Sequence, residues 1–210
     1  MIFAKAPRPG TVKTRLIPLL GEDGAAQLQA RLIERTLETA RAVGRCPIEL
    51  CCAPDADDPF LRSSASRFGA AITAQAQGDL GTRMLAAFKN ALASHERALL
   101  IGSDCPALTA GYLHQAGQML EDADAVFGPC EDGGYALIGL KRTSARLFDN
   151  VNWGSSSVML ETRSRLLELG WRWRELEILW DIDRPADYQR LMTSGLFSEL
   201  TFADPFPHNN

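Results

Sequence analysis

Apolar and polar positions alternate along this chain with two different periods. Short apolar runs stand at 2–5, 48–53, 70–74, 98–102, 125–128 and 135–140. Most run into Pro, Gly, Asp or Ser, which predicts strands. Longer stretches between them carry apolar residues at helical spacing. These predict helices over 24–43, with Leu28, Leu32, Ile33 and Leu37 on one face, and over 80–94, with Met84, Leu85, Phe88 and Leu92 aligned. Shorter helices are predicted over 59–68, over 109–120 with Thr109 as N-cap, over 155–169, and over 185–191 opening at Pro185. A last strand is predicted over 171–179. Alternating strands and helices predict an α/β layered fold with a mostly parallel sheet. Residues 1–198 are expected to form one domain and 199–210 a peripheral tail. In such sheets ligands sit beyond the carboxyl ends of the strands, and the polar motifs of this chain fall there.

The first motif runs from Phe3 to Leu16 and holds four cations, Lys5, Arg8, Lys13 and Arg15, in one strand-to-helix loop. Packing asks for no such density, and a polyphosphate does. Gly10 lets backbone approach a ligand. Thr11 and Thr14 offer hydroxyls, or caps for a helix expected to open near Val12 with its free N–H groups toward an anion. The loop is neither a Walker A sequence nor a dinucleotide fingerprint, because their glycines are missing. The alternative is a solvated basic turn.

The second motif places Asp104 directly after the apolar run 98–102. A carboxylate opposite a phosphate loop suggests a bridging divalent cation; the alternative is a helix cap, a role Thr109 already fills. The third, 128–135, sets Asp132, Gly133, Gly134 and Tyr135 between two strands, either as a plain hairpin turn or as a site in which the glycines give clearance and Asp132 binds hydroxyls or metal. In the fourth, 180–188, Asp181 and Asp183 share a face in extended chain. One of them is a second metal ligand opposite Asp104, or Asp183 and its neighbours cap the following helix. The fifth, 78–84, puts Arg83 in a first helical turn, facing an anion or solvent. Trp153 precedes a serine-rich loop and could cover a base or a sugar.

Composition narrows the partners. The net charge is −4, which argues against nucleic acid and makes the basic first loop stand out. No apolar run reaches membrane-spanning length, and the start lacks the order of a secretion signal. The five cysteines form no C-x-x-C pair, so neither disulfides nor zinc are expected, and a reducing cytoplasm fits. Cys105 has no His near it in sequence and reads as a structural thiol.

Taken in order, the motifs 3–16, 78–84, 103–106, 132–139 and 181–187 resemble the GT-A superfamily of nucleotide-diphosphosugar transferases. Within it they resemble a bacterial family of uncharacterised GT-A-type glycosyltransferases, some linked to arsenosugar biosynthesis. The first and last motifs also resemble phospholactate guanylyltransferase and the molybdenum-cofactor nucleotidyltransferases. The resemblance covers nearly the whole chain. It implies a three-layer GT-A-like fold with a mostly parallel mixed sheet, and transfer of a sugar from a nucleotide sugar to a small acceptor. The alternative is nucleotidyl transfer from a nucleoside triphosphate with release of pyrophosphate; the lesser alternative is a non-catalytic nucleotide-binding domain. It also implies Mg2+ or Mn2+ on Asp104, with Asp183 as the distant acid, because Ser103-Asp104-Cys105 is not the Asp-x-Asp triplet of many relatives. Lys13 and Arg15 would grip phosphates, with Lys5, Arg8, Gly10, Thr11, Thr14 and Arg83 around them. Gly133, Gly134, Tyr135 and Trp153 would meet substrate, and Asp132 is the candidate base.

Overall fold

A computed structural model describes residues 1–44 and 46–196. Seven strands form one sheet: β1 (Ile2–Lys5), β2 (Glu49–Ala53), β3 (Ala71–Ala74), β4 (Ala98–Gly102), β5 (Ala125–Pro129), β6 (Tyr135–Leu140) and β7 (Trp173–Glu175). Their order is β3-β2-β1-β4-β6-β5-β7. All pairings are parallel except the two made by β6, which runs against both β4 and β5. A hairpin thus slots β6 between two parallel strands, and the mostly parallel mixed sheet expected from the sequence is the one found.

Six α-helices cover the sheet: α1 (Ile17–Ala42), α2 (Pro59–Phe68), α3 (Leu80–Leu92), α4 (Ala110–Met119), α5 (Val158–Glu168) and α6 (Pro185–Thr193). Period-two alternation sends successive strand residues to opposite layers. Ile2, Ile101, Val126 and Leu137 pack with Ile33, Leu37, Leu61 and Leu113 from α1, α2 and α4. Leu100, Phe127 and Ile138 pack with Met84, Phe88, Met159 and Leu166 from α3 and α5. A third cluster joins the two ends of the chain, with Leu16, Leu28 and Leu32 against Trp180, Ile182, Tyr188 and Leu191.

Three boundaries differ from the sequence reading. Helix α1 starts at Ile17 rather than residue 24, and it is broken at Gly21, whose φ is +70°. Pro18, Gly21 and Gly24 look like breakers in sequence, yet Pro18 sits in the first turn, where it is tolerated. The strand expected over 171–179 shrinks to Trp173–Glu175, after which only Leu179 bridges back, to Cys130. Helix α5 starts at Val158, because Ser155 and Ser157 bond each other and the preceding loop. The expected tail at 199–210 lies outside the described residues.

Candidate active site

The first loop leaves β1 at Lys5 and folds on itself. The Thr11 N–H and hydroxyl both donate to the Arg8 carbonyl, at 3.1 and 2.9 Å, and Gly10 takes a φ of +75° to close that turn. Lys5 reaches the Thr11 carbonyl at 2.7 Å. Arg8 is held by Asp58 at 3.2 Å and Asp55 at 3.7 Å, in the loop after β2. Asp58 is buried and also accepts from the Phe60 and Leu61 N–H groups as the N-cap of α2. Arg8 thereby anchors the loop to its neighbour. Val12 is buried and opens no helix. The chain turns through Lys13 at φ 48°, ψ 40° into a three-residue 3-10 helix, Thr14–Leu16, ahead of α1. The left-handed residue stops a helix from starting at Val12, and Thr14 makes no side-chain cap there.

That turn aims Lys13 inward. Its Nζ donates to Asp104 Oδ1 at 2.7 Å and to the Ile182 carbonyl at 2.6 Å. Its side chain is only 6% exposed, whereas that of Asp104 is 51% exposed. Asp104 thus turns one face to the protein and the other to solvent. Beside it, the Ile182 N–H donates to the Asp104 carbonyl at 3.0 Å. Arg15 pairs with Asp183. Three motifs far apart in sequence, the first loop, the end of β4 and residues 181–183, therefore meet at one edge of the sheet.

Asp183 is not the cap of α6. The Asp187 carboxylate accepts from the Asp183 and Arg184 N–H groups, at 3.1 and 2.7 Å, and closes a capping box there. Asp181 is half-buried. Burial, then the charges of Asp132 and Asp104, push its carboxyl up to about 6, with Lys13 opposing. Sequence spacing pairs Asp181 with Asp183 but does not tell which one couples to Asp104 and Asp132. Asp58 gave no functional signal beyond its place before Pro59.

The Asp132–Tyr135 turn is a hairpin tip with specific packing. Asp132 Oδ1 accepts from the Gly134 N–H at 2.9 Å. Gly133, at φ +89°, lies against the backbone of Ser156, where a Cβ would come within 2.1 Å of the carbonyl oxygen. Its clearance therefore admits the 153–157 loop. The Tyr135 ring packs edge-on to Phe127 and Trp153, and burial raises its phenol pKa. Trp153 packs over Gly81, and its buried Nε1 has no hydrogen-bond partner among the described residues. Arg83 folds back onto the Asp79 carbonyl and onto Gln75, at 3.3 and 3.0 Å. Gln75 in turn bonds the Cys51 carbonyl at 2.9 Å, so Arg83 stands at the β1–β2 end of the same edge. Cys105 lies buried behind Asp104, and burial raises its thiol to about 11, which suits packing rather than nucleophilic attack.

The carboxylate oxygens of Asp104 suit a hard cation such as Mg2+ or Mn2+. Among the described residues no three His, Cys, Asp or Glu side chains form a metal cage. An ion held by one or two carboxylates completes its shell with water and phosphate oxygens.

The profile of a family described as "Uncharacterized protein conserved in bacteria (DUF2064)" matches residues 36–155. No curated protein matches the chain. Among solved structures, a candidate nucleotide-diphospho-sugar transferase from Desulfovibrio desulfuricans G20 is 30% identical, with a TM-score of 0.85 over 97% of this chain and 90% of that one. The Rv0371c protein of Mycobacterium tuberculosis H37Rv, solved in complex with manganese, is 19% identical, with a TM-score of 0.58 over 92% of this chain and 97% of that one. A cytidylyltransferase from Leptospira borgpetersenii serovar Hardjo-bovis is 14% identical, with a TM-score of 0.57 over 90% of this chain and 82% of that one. The last two share the fold.

Proposed function

Because the chain belongs to the bacterial family DUF2064, and shares its fold with a candidate nucleotide-diphospho-sugar transferase, we propose that it is a metal-dependent transferase that passes a sugar from a nucleotide-diphosphosugar to a small acceptor. One observation carries this reading: the two loop cations Lys13 and Arg15 close on the carboxylates Asp104 and Asp183 at the ligand edge of the sheet. A diphosphate and a divalent cation are complementary to such an arrangement of both signs. Asp104 and Asp183 would hold Mg2+ or Mn2+, which when bound neutralises charge on a nucleoside diphosphate leaving group. Lys13 and Arg15 would add fixed positive charge at the same phosphates. Lys5 and Arg8 shape the loop, and Gly10, Thr11 and Thr14 offer it backbone approach and hydroxyls. Arg83 would supply a further cation, and the Asp132–Tyr135 tip with Trp153 would flank the acceptor.

A second reading, nucleotidyl transfer, is favoured by the state of Asp132. Its Oδ1 already accepts from its own loop, which weakens it as a base for a sugar hydroxyl. An acceptor that is itself a phosphate needs no base, only positioning and charge stabilisation. Product analysis separates the two. Release of a nucleoside diphosphate from a nucleotide sugar supports glycosyl transfer, whereas pyrophosphate from a triphosphate and a phosphorylated acceptor supports nucleotidyl transfer. In either assay Asp104→Asn, checked as folded by circular dichroism, should lower turnover on the order of a hundredfold or more. Unchanged turnover would remove Asp104 from the site.

A further inference from the structure

Lys13 has three properties that belong together. Its backbone is left-handed, at φ 48° and ψ 40°, a region that residues with a Cβ rarely adopt and that clusters at ligand clamps and switches. Its ammonium is almost fully covered and satisfied by Asp104 Oδ1 and the Ile182 carbonyl. Arg15, two residues on, is engaged by Asp183. Both carboxylates assigned above to the metal are therefore already neutralised, and by the very side chains assigned to the phosphates.

We propose that the first loop is a cation latch: Lys13 and Arg15 compete with the divalent metal for the oxygens of Asp104 and Asp183, so that metal and nucleotide bind with positive cooperativity. The inference rests on the transferase reading and concerns the order and coupling of binding at that same site. A metal ion arriving alone at the solvent face of Asp104 meets a carboxylate already paired with Lys13 through Oδ1; drawing that carboxylate away from Lys13 strands a buried ammonium without its counter-charge, which is costly. Phosphate oxygens remove the penalty by giving Lys13 and Arg15 new anionic partners while they share the metal with the freed carboxylates. By linkage the coupling is reciprocal, so the metal tightens nucleotide binding by the same factor. The latch also explains why a charged side chain is placed on a left-handed residue where glycine would cost less.

The test is direct titration of the full-chain protein with Mn2+ in the absence of any nucleotide, reading free Mn2+ by its paramagnetic resonance signal. Lys13→Met should bind Mn2+ about tenfold tighter than the natural protein, within the usual range of site-to-site coupling. Asp104→Asn should lose that binding. Arg15→Met should shift affinity in the same direction as Lys13→Met but less. Arg15 is more exposed, so this variant keeps the test alive if Lys13→Met fails to fold. Mn2+ bound through Asp104, but no more tightly in either loop variant, overturns the latch and leaves the transferase reading standing. Weaker binding in Lys13→Met also overturns the latch, since Lys13 would then be orienting Asp104 for the metal. Absence of Mn2+ binding in every variant overturns the latch and the metal assignment together. Tighter binding in Lys13→Met, together with no turnover of any nucleotide sugar or triphosphate by the natural protein, supports the latch and removes the transferase reading.

Discussion

At the scale of single residues, two glycines of positive φ should behave differently. Gly133 and Gly21 have φ near +89° and +70°, but a Cβ on Gly133 would strike the Ser156 backbone, whereas one on Gly21 would meet open space. Gly21→Ala should cost only the backbone strain of its φ +70°, ψ 171° conformation, about 1–3 kcal/mol. Gly133→Ala should cost more than about 3 kcal/mol, because backbone must move as well. Urea unfolding of both variants checks this, and equal losses would mean that the 153–157 loop yields freely. The need for clearance at Gly133 was legible in sequence, but what it clears was not. Asp104 was legible because it follows a buried strand at the ligand edge. Its partner Lys13 was one cation among four on the residues alone and was set apart with Arg15 only by the family resemblance, since nothing in a sequence announces that a lysine takes a positive φ. The division of labour between Asp181 and Asp183 was hidden for a similar reason. It depends on Asp187 claiming two backbone N–H groups and on Arg15 claiming a carboxylate.

At the scale of elements, the sequence marked almost every strand and helix but neither their order nor β6's direction. Strand β6 can enter between β4 and β5 only as a hairpin return. The turn at 130–134 looks the same whether the returning strand sits inside the sheet or at its edge. The last strand was overextended because 171–179 alternates well, although only Trp173–Glu175 finds a partner along β5. That short edge strand is pinned from α5, where Arg163 holds both oxygens of Glu175 at 2.9 and 2.7 Å. The hydrogen bonds from Arg163, ahead of the one from Trp173, hold the Glu175 carboxyl below its ordinary pKa of 4.5. The folded pKa therefore lies under the unfolded one. The pair's contribution is fully present above about pH 4.5 and is lost as pH falls through the lowered value. Both side chains are partly solvated, so its size should stay under about 1 kcal/mol. Glu175→Gln should be less stable than the natural protein at pH 7, and the gap should close in acid. Denaturant midpoints at pH 7 and at pH 3 measure it, and a gap of constant width would show that the pair contributes no pH-dependent stability.

At the scale of the whole molecule, stability and site geometry should separate by cluster. The two large cores lie on either face of the sheet and support all seven strands, while the third cluster ties the start of the chain to its last motif through Leu16, Leu28, Trp180, Ile182 and Leu191. Leu37, in a large core, and Leu191, in the third cluster, are both almost completely buried. Truncating either to Ala should cost on the order of 2–5 kcal/mol. Their effects on binding should differ. Leu37 packs in the layer of α1, α2 and α4, in a cluster that holds none of residues 180–191. Leu191 backs the segment whose Ile182 carbonyl and N–H hold Lys13 and Asp104. Loosening that segment should spread the four charged groups over several arrangements, so binding must then pay to order them. Among fully folded molecules, Leu37→Ala should keep the natural affinity for nucleotide with Mg2+, while Leu191→Ala should lose several-fold. Calorimetric titration at a temperature where circular dichroism finds both variants folded decides it. Equal affinities would mean that the β4 and first-loop contacts alone hold the site, and that residues 180–191 serve only to cover the core.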